Sequence, residues 1–202
     1  MNPKFAAILP AVFCVSACAR TSMSSLASPD LRGRVYRNIL VVANFSDLAL
    51  RRDAEDRLAA SSAEDHFRFV PSYGVFFPAQ QYDSAQVVML LRQNHIDATL
   101  VISPGGTGAS TGYVPPTYTT GCTMWSSSSG CTRATTTTTG GYTYSRPWAQ
   151  FTARLFDAVS GDAVWVATAT TGGNAYASGT TLVRSMADKT AAQLLDDGII
   201  RN

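Results

Sequence analysis

The sequence predicts an α/β fold: one domain with a mixed five-stranded sheet, about three helices and a long Thr/Ser/Gly-rich insertion. Three observations carry this. Between residues 38 and 103, short β-branched runs alternate with amphipathic stretches. Near residue 160, two alternating apolar/polar runs flank a Ser-Gly turn. A last amphipathic stretch closes before Gly198.

Asn38 to Phe45 (NILVVANF) is a continuous apolar run of strand length, suited to a central buried strand. Ser46 or Asp47 caps the helix that follows over Leu48 to Glu64. Leu50, Ala54 and Leu58 recur about one turn apart, leaving Arg51, Arg52, Glu55 and Asp56 on a charged face. Phe67 to Tyr73 reads as the second strand and Ser84 to Asn94 as the second helix, with Val87, Val88, Leu90 and Leu91 inward. Ala98 to Ser103 (ATLVIS) is the third strand. The β-α-β-α-β order with short links argues for parallel strands joined by right-handed crossovers. Residues 148–157 and 162–170 form a hairpin, with Gly161 where the turn needs a positive φ. Thr180 to Asp196 is the third helix, with Leu182, Met186, Ala191, Leu194 and Leu195 on its apolar side.

Residues 105–146 are the feature a bare α/β fold does not require. Long insertions in compact domains are functional or disordered. The β-propensity of Thr135–Thr139 allows a projecting hairpin, with a solvated loop as the alternative. Tyr113, Tyr118, Trp125, Tyr142 and Tyr144 offer flat amphipathic surfaces for a partner. Cys122 and Cys131 enclose eight residues and form an even pair suited to a disulfide in an oxidising compartment. A membrane-inserted hairpin needs apolar residues alternating over about ten positions, which TTTTTGG lacks.

The chain starts with Lys4, a short apolar run from Phe5 to Val15, and then Ser16, Ala17 and Cys18. This is the layout of a secretory signal, and the run is half the ~20 residues that a spanning helix needs. Val15-Ser16-Ala17-Cys18 resembles the bacterial lipobox. The resemblance implies cleavage before Cys18, diacylglycerol on its thiol and anchoring in a membrane; an ordinary secretory signal cut near Ala17 or Ala19 is the alternative. Ala19, where such lipoproteins retained in the inner membrane tend to carry Asp, favours the outer membrane and its periplasmic face. The expected organisation is a signal over 1–17, a lipidated cysteine and flexible Ser-rich tether over 18–37, and the domain over 38–202.

The hairpin LFDAVSGDAVW, the first strand, the helix near LRRDAED and IDATLVIS together look like envelope lipoproteins whose fold resembles the curli secretion channel subunit and the N-terminal domain of the Tol system's periplasmic propeller protein. The resemblance covers about residues 38–198. It implies a fold rather than a function, and it brings no catalytic residues.

The residues themselves offer little chemistry. The net charge is +2 with 15% charged residues, and no basic patch interleaves with aromatics, so nucleic acid is not an expected partner. His66 and His95 have no second ligand at i+2 or i+4, so no metal is expected. Asp53, Glu55 and Asp56 read as a solvated helix face. The Gly-rich run after Ser103 lacks the GK[ST] of a phosphate loop, and no GxSxG is present. The expectation is a non-enzymatic outer-membrane lipoprotein, without catalytic residues or cofactor. It would meet the membrane through its anchor and bind an envelope protein or itself. A ring-forming subunit of a secretion or polysaccharide-export apparatus is the first alternative, and an envelope binder or enzyme for glycans or small ligands is the second.

Overall fold

A computed structural model describes residues 18–29, 34–63, 66–77 and 79–201. The signal expected over 1–17 lies outside the described residues. Ten elements follow in chain order: β1 (Ala19–Ala27), β2 (Asn38–Ala43), α1 (Leu48–Ala59), β3 (Arg68–Pro71), a short 3-10 turn (Ser72–Gly74), α2 (Ser84–Gln93), β4 (Ala98–Ser126), β5 (Gly130–Asp157), β6 (Ala163–Gly173) and α3 (Gly179–Asp196). The strands form one mixed sheet in the order β1-β6-β5-β4-β2-β3. β2 pairs in parallel with β3 and β4, and the other neighbours are antiparallel.

The five-strand expectation is corrected to six. The extra strand is β1, which lies in the stretch taken for a flexible tether. Thr21, Met23 and Ser25 face inward against α3, while Arg20, Ser22, Ser24 and Leu26 face out. The alternation is hard to see in sequence because two of the four inward residues, Ala19 being the fourth, are polar. Both are satisfied: the Thr21 hydroxyl lies 2.8 Å from those of Thr171 and Ser185, and Ser25 donates to Asp197 at 2.6 Å. β1 joins β6 over nine paired positions, from Ala19↔Gly173 to Ala27↔Trp165.

α1 and α3 cover one face of the sheet. Between them and the strands lie Ile39, Val41, Leu58, Phe69, Leu100, Leu155, Trp165, Met186 and Leu194. α2 covers a small area of the other face, where Leu40, Leu91 and Ile96 meet. Val88 was expected inward but is exposed, because the apolar stripe of α2 runs through Val87 and Leu91. Both helices begin as the sequence suggests: Asp47 accepts N–H bonds from Ala49 and Leu50, and Asp83 forms a reciprocal capping box with Gln86.

Glu55 is a second correction. It is fully buried rather than part of a solvated face. Its carboxylate accepts from the Ala43 amide at 3.0 Å, the Ser72 amide at 2.8 Å, the Ser72 hydroxyl at 2.7 Å and Arg51 Nε at 3.2 Å. It therefore ties α1 to the ends of both β2 and β3. Asp53 and Asp56 remain at the surface, Asp53 paired with Arg184 of α3 and Asp56 with Arg52.

The hairpin motif earns its Asp and Trp. Asp157 Oδ1 accepts the N–H groups of Val159 and Ser160, fixing the turn, and Gly161 supplies the positive φ of 77°. Asp157 Oδ2 takes the Tyr36 hydroxyl and an Arg34 N–H. Trp165 is buried and donates its indole N–H to Asp197 at 2.6 Å.

Candidate functional site

The insertion is a two-stranded arm. β4 and β5 stay paired from the sheet to the tip, as far as Ser126↔Gly130. Within the sheet, β4 borders β2 only over Ala98–Ile102, and β5 borders β6 only over Trp148–Phe156. Outside those limits the two strands pair with each other alone among the described residues. The arm from Ala109 to Ser126 runs roughly 60 Å at the usual rise per residue. It is thus a hairpin with two free backbone edges, and the solvated-loop alternative is set aside.

Local chemistry explains the pairing. A bulge between Pro104 and Thr107 lets the arm bend away from the sheet. Beyond it, glycines on β4 face aromatics on β5. A Cβ on Gly108 would lie 2.8 Å from the Trp148 ring, and one on Gly112 only 2.3 Å from that of Tyr144. The rings thus cover glycines across the strand pair and shield their backbone. The Arg146 guanidinium stacks 4.8 Å from the Tyr144 centroid, and the Tyr142 centroid is 6.5 Å from that of Tyr144. Opposite Pro116, Gly140 and Gly141 adopt positive φ. Near the tip, Cys122 and Cys131 form a disulfide with S–S 2.05 Å and Cα–Cα 5.8 Å.

The five aromatics chosen from sequence are all on the arm, but they do not converge. Tyr142 and Tyr144 are neighbours. Tyr113 pairs with Thr143, and Tyr118 with Thr138 five residues further out. Trp125 stands at the tip, 75% exposed. Trp148, Arg146 and the glycines beneath the rings escaped sequence reading. A Gly/aromatic register is visible only once the two strands are aligned.

Cys18 is exposed and lies outside the disulfide. Its carbonyl accepts the Asn174 N–H at 3.0 Å, and the next residue, Ala19, pairs with Gly173. Gly172 in turn pairs with Trp148 at the root of the arm. The arm and Cys18 therefore leave the same end of the sheet. At that end an apolar cleft of about 410 Å³ opens between α1, α3 and the arm root, walled by Phe45, Leu50, Pro147, Phe151, Leu182 and Val183.

The titratable groups are committed to structure. Burial pushes the Tyr36 hydroxyl up to about 12, and the adjoining Asp157 carboxylate adds to the shift. For Asp157 burial acts upward, but the Ser160 and Val159 amides, Tyr36 and Arg34 outweigh it and hold the carboxyl below its ordinary value. Burial likewise raises Asp197, while Ser25, Trp165 and Gln193 bring it below. His66 lies in the turn before β3 and His95 just after α2, with a positive φ of 54°. Among the described residues, no three His, Cys, Asp or Glu side chains gather as a metal site. No helix among them is long and apolar enough to cross a membrane.

In sequence, no protein family and no curated protein matches the chain. Three-dimensional likenesses exist. The PelC dodecamer from Paraburkholderia phytofirmans shares 17% identity, with 87% of this chain and 97% of that one covered and a TM-score of 0.46. Lipoprotein GNA1162 from Neisseria meningitidis shares 18% identity, with 78% and 97% covered and a TM-score of 0.39. These are partial likenesses of shape alone.

Proposed function

We propose that the protein is a non-enzymatic, lipid-anchored subunit of the bacterial envelope that assembles with copies of itself through its arm. The observation that carries this reading is the pair of free edges on β4 and β5. Long unpaired edges are templates for further strands. Because the two edges differ, a contact between β5 of one copy and β4 of the next is head-to-tail and antiparallel, and such contacts form a ring when the rotation between copies closes. Pro115 and Pro116 blunt part of the β4 edge, leaving Thr117–Ser126 and Gly130–Arg146 as the pairing stretches. Residues 105–147 carry only two charges, Arg133 and Arg146, so little repulsion opposes close approach.

The lipobox-like Val15-Ser16-Ala17-Cys18 supports the anchor, and Ala19 supports an outer-membrane position. The saturated hydrogen bonding of Glu55, Asp157 and Asp197 supports a non-enzymatic role, since each carboxylate is already engaged by fixed donors. A second reading is a monomeric tethered adaptor that offers the same aromatic arm to a different envelope protein.

Native mass of the full-length, membrane-extracted protein in mild detergent separates the two. A closed multimer is expected, and it should fall to monomer when residues 110–145 are replaced by an Asn-Gly turn. A monomer or dimer at high concentration would overturn the ring and leave the adaptor. A turnover abolished by one polar substitution in a folded variant would overturn the non-enzymatic role.

A further inference from the structure

We infer that the apolar cleft at the arm root shelters a fatty acyl chain of the lipid on Cys18. This rests on the lipoprotein reading of Cys18 and deepens it. β1 begins at Ala19, so no slack chain separates the lipid from the fold. Ala19 pairs with Gly173, and a Cβ on Gly173 would stand 3.2 Å from Leu182 and 3.4 Å from Pro147. Leu182 and Pro147 are both cleft walls. From β1 across β6 to β5 is two strand spacings, about 10 Å. An acyl chain filling half of a ~30 Å bilayer core reaches about 15 Å. The span from β1 to the cleft is thus shorter than an acyl chain.

The walls suit hydrocarbon. The cleft, at about 410 Å³, falls within the usual range of ligand sites. Asp47, the charged residue on its lining, spends its Oδ1 on the Ala49 and Leu50 amides at 2.8 and 3.3 Å. Among the described residues, no buried side-chain nitrogen or oxygen lacks a partner, so the walls hold no buried polar group seeking a polar ligand. Each methylene drawn out of water adds to the hold. A sheltered chain would also fix the domain against the membrane, with the arm root at the lipid surface.

The test compares the lipidated full chain with Cys18→Ser, using cis-parinaric acid as the probe and its fluorescence as the readout. Cys18→Ser should bind one probe per chain, and the lipidated protein should bind at least tenfold more weakly because its own chain occupies the cleft. Gly179→Leu points a side chain at Leu50, 3.7 Å away, and should abolish binding in the Cys18→Ser background. Thr107→Leu serves the same purpose should Gly179→Leu fail to fold. Equal binding by both proteins would overturn the inference and make the cleft a site for free membrane lipid. Absence of binding by both would overturn it by showing that the cleft takes no hydrocarbon. Mass spectrometry of the Cys18 peptide keeps the two readings apart. An unmodified thiol sinks the anchor and with it this inference, whereas a lipidated thiol with an open cleft sinks the inference alone.

Discussion

The Tyr144 ring lies across the β4–β5 pair over Gly112, so close that a Cβ there would fall 2.3 Å from the ring. The Arg146 guanidinium is stacked on the same ring. Gly112→Ala should push the Tyr144 ring aside and unstack Arg146 without touching the core. Global stability should change by less than about 0.5 kcal/mol, as for other surface sites. Near-UV circular dichroism should lose tyrosine signal, and the native multimer should weaken. An unchanged spectrum with unchanged mass would show that this register is irrelevant to assembly.

Glu55 holds three elements together, and its loss strands several groups at once. Glu55→Ala leaves the buried Ser72 amide and hydroxyl without their acceptor and takes the charged partner from half-buried Arg51, which keeps only its bond to the Ser72 hydroxyl. Removing one partner of a buried pair costs about 3–5 kcal/mol. Urea denaturation should show a loss of that order. Glu55→Gln, which keeps an acceptor oxygen, should lose less. A loss under 1 kcal/mol for the alanine variant would mean that water replaces the carboxylate freely.

The pH dependence has two limbs with different owners. Asp157 and Asp197 are held below their ordinary carboxylate value, so they contribute stability above the unfolded pKa of about 3.9 and lose it as pH falls through the lower folded values. Asp157→Asn should therefore be less stable at pH 7, with the gap to wild type closing below about pH 4. Tyr36 behaves oppositely. Its value rises from 10.0 to about 12, so its contribution is complete below pH 10 and is lost as pH climbs towards 12. Tyr36→Phe should remove the part of the alkaline limb that lies in this window. Thermal melts at pH 3, 7 and 11 check both signs.

What was legible in the sequence follows from how strongly each element advertises its burial. β2, α1, α3 and the LFDAVSGDAVW hairpin carry continuous or periodic apolar residues, and the structure has all four, though α1 ends at Ala59 rather than running on to Glu64. β1 was missed because Thr21 and Ser25 are polar inward residues, satisfied by partners more than a hundred residues away. Glu55 was misread because helix periodicity cannot show that the ends of β2 and β3 return to meet it. For the arm, composition gave both hairpin and loop as options. The choice was settled by pairing Thr with Thr and Gly with aromatic across two segments, which no local window contains. The cleft was invisible for the same reason, since its walls come from the loop after β2, α1, β4, β5 and α3.

The Cys122–Cys131 disulfide sits near the tip, far from the core that sets global stability. A loop of this size gains about 2–3 kcal/mol from closure in the chain-entropy view. That gain is local, because the tip closes the far end of a strand pair that beyond the sheet is joined by ladder bonds only to itself among the described residues. The double variant Cys122→Ser/Cys131→Ser should therefore melt at the wild-type temperature within a degree or two. Amide exchange over residues 119–137 should speed up, while Ile39, Leu100 and Leu155 stay protected. If the arm serves assembly, the multimer of this variant should dissociate at lower detergent or urea concentration than wild type. A fall in the core melting temperature of more than about 4 °C, the shift that ~1–2 kcal/mol gives in a domain of this size, would instead make the tip part of the cooperative unit.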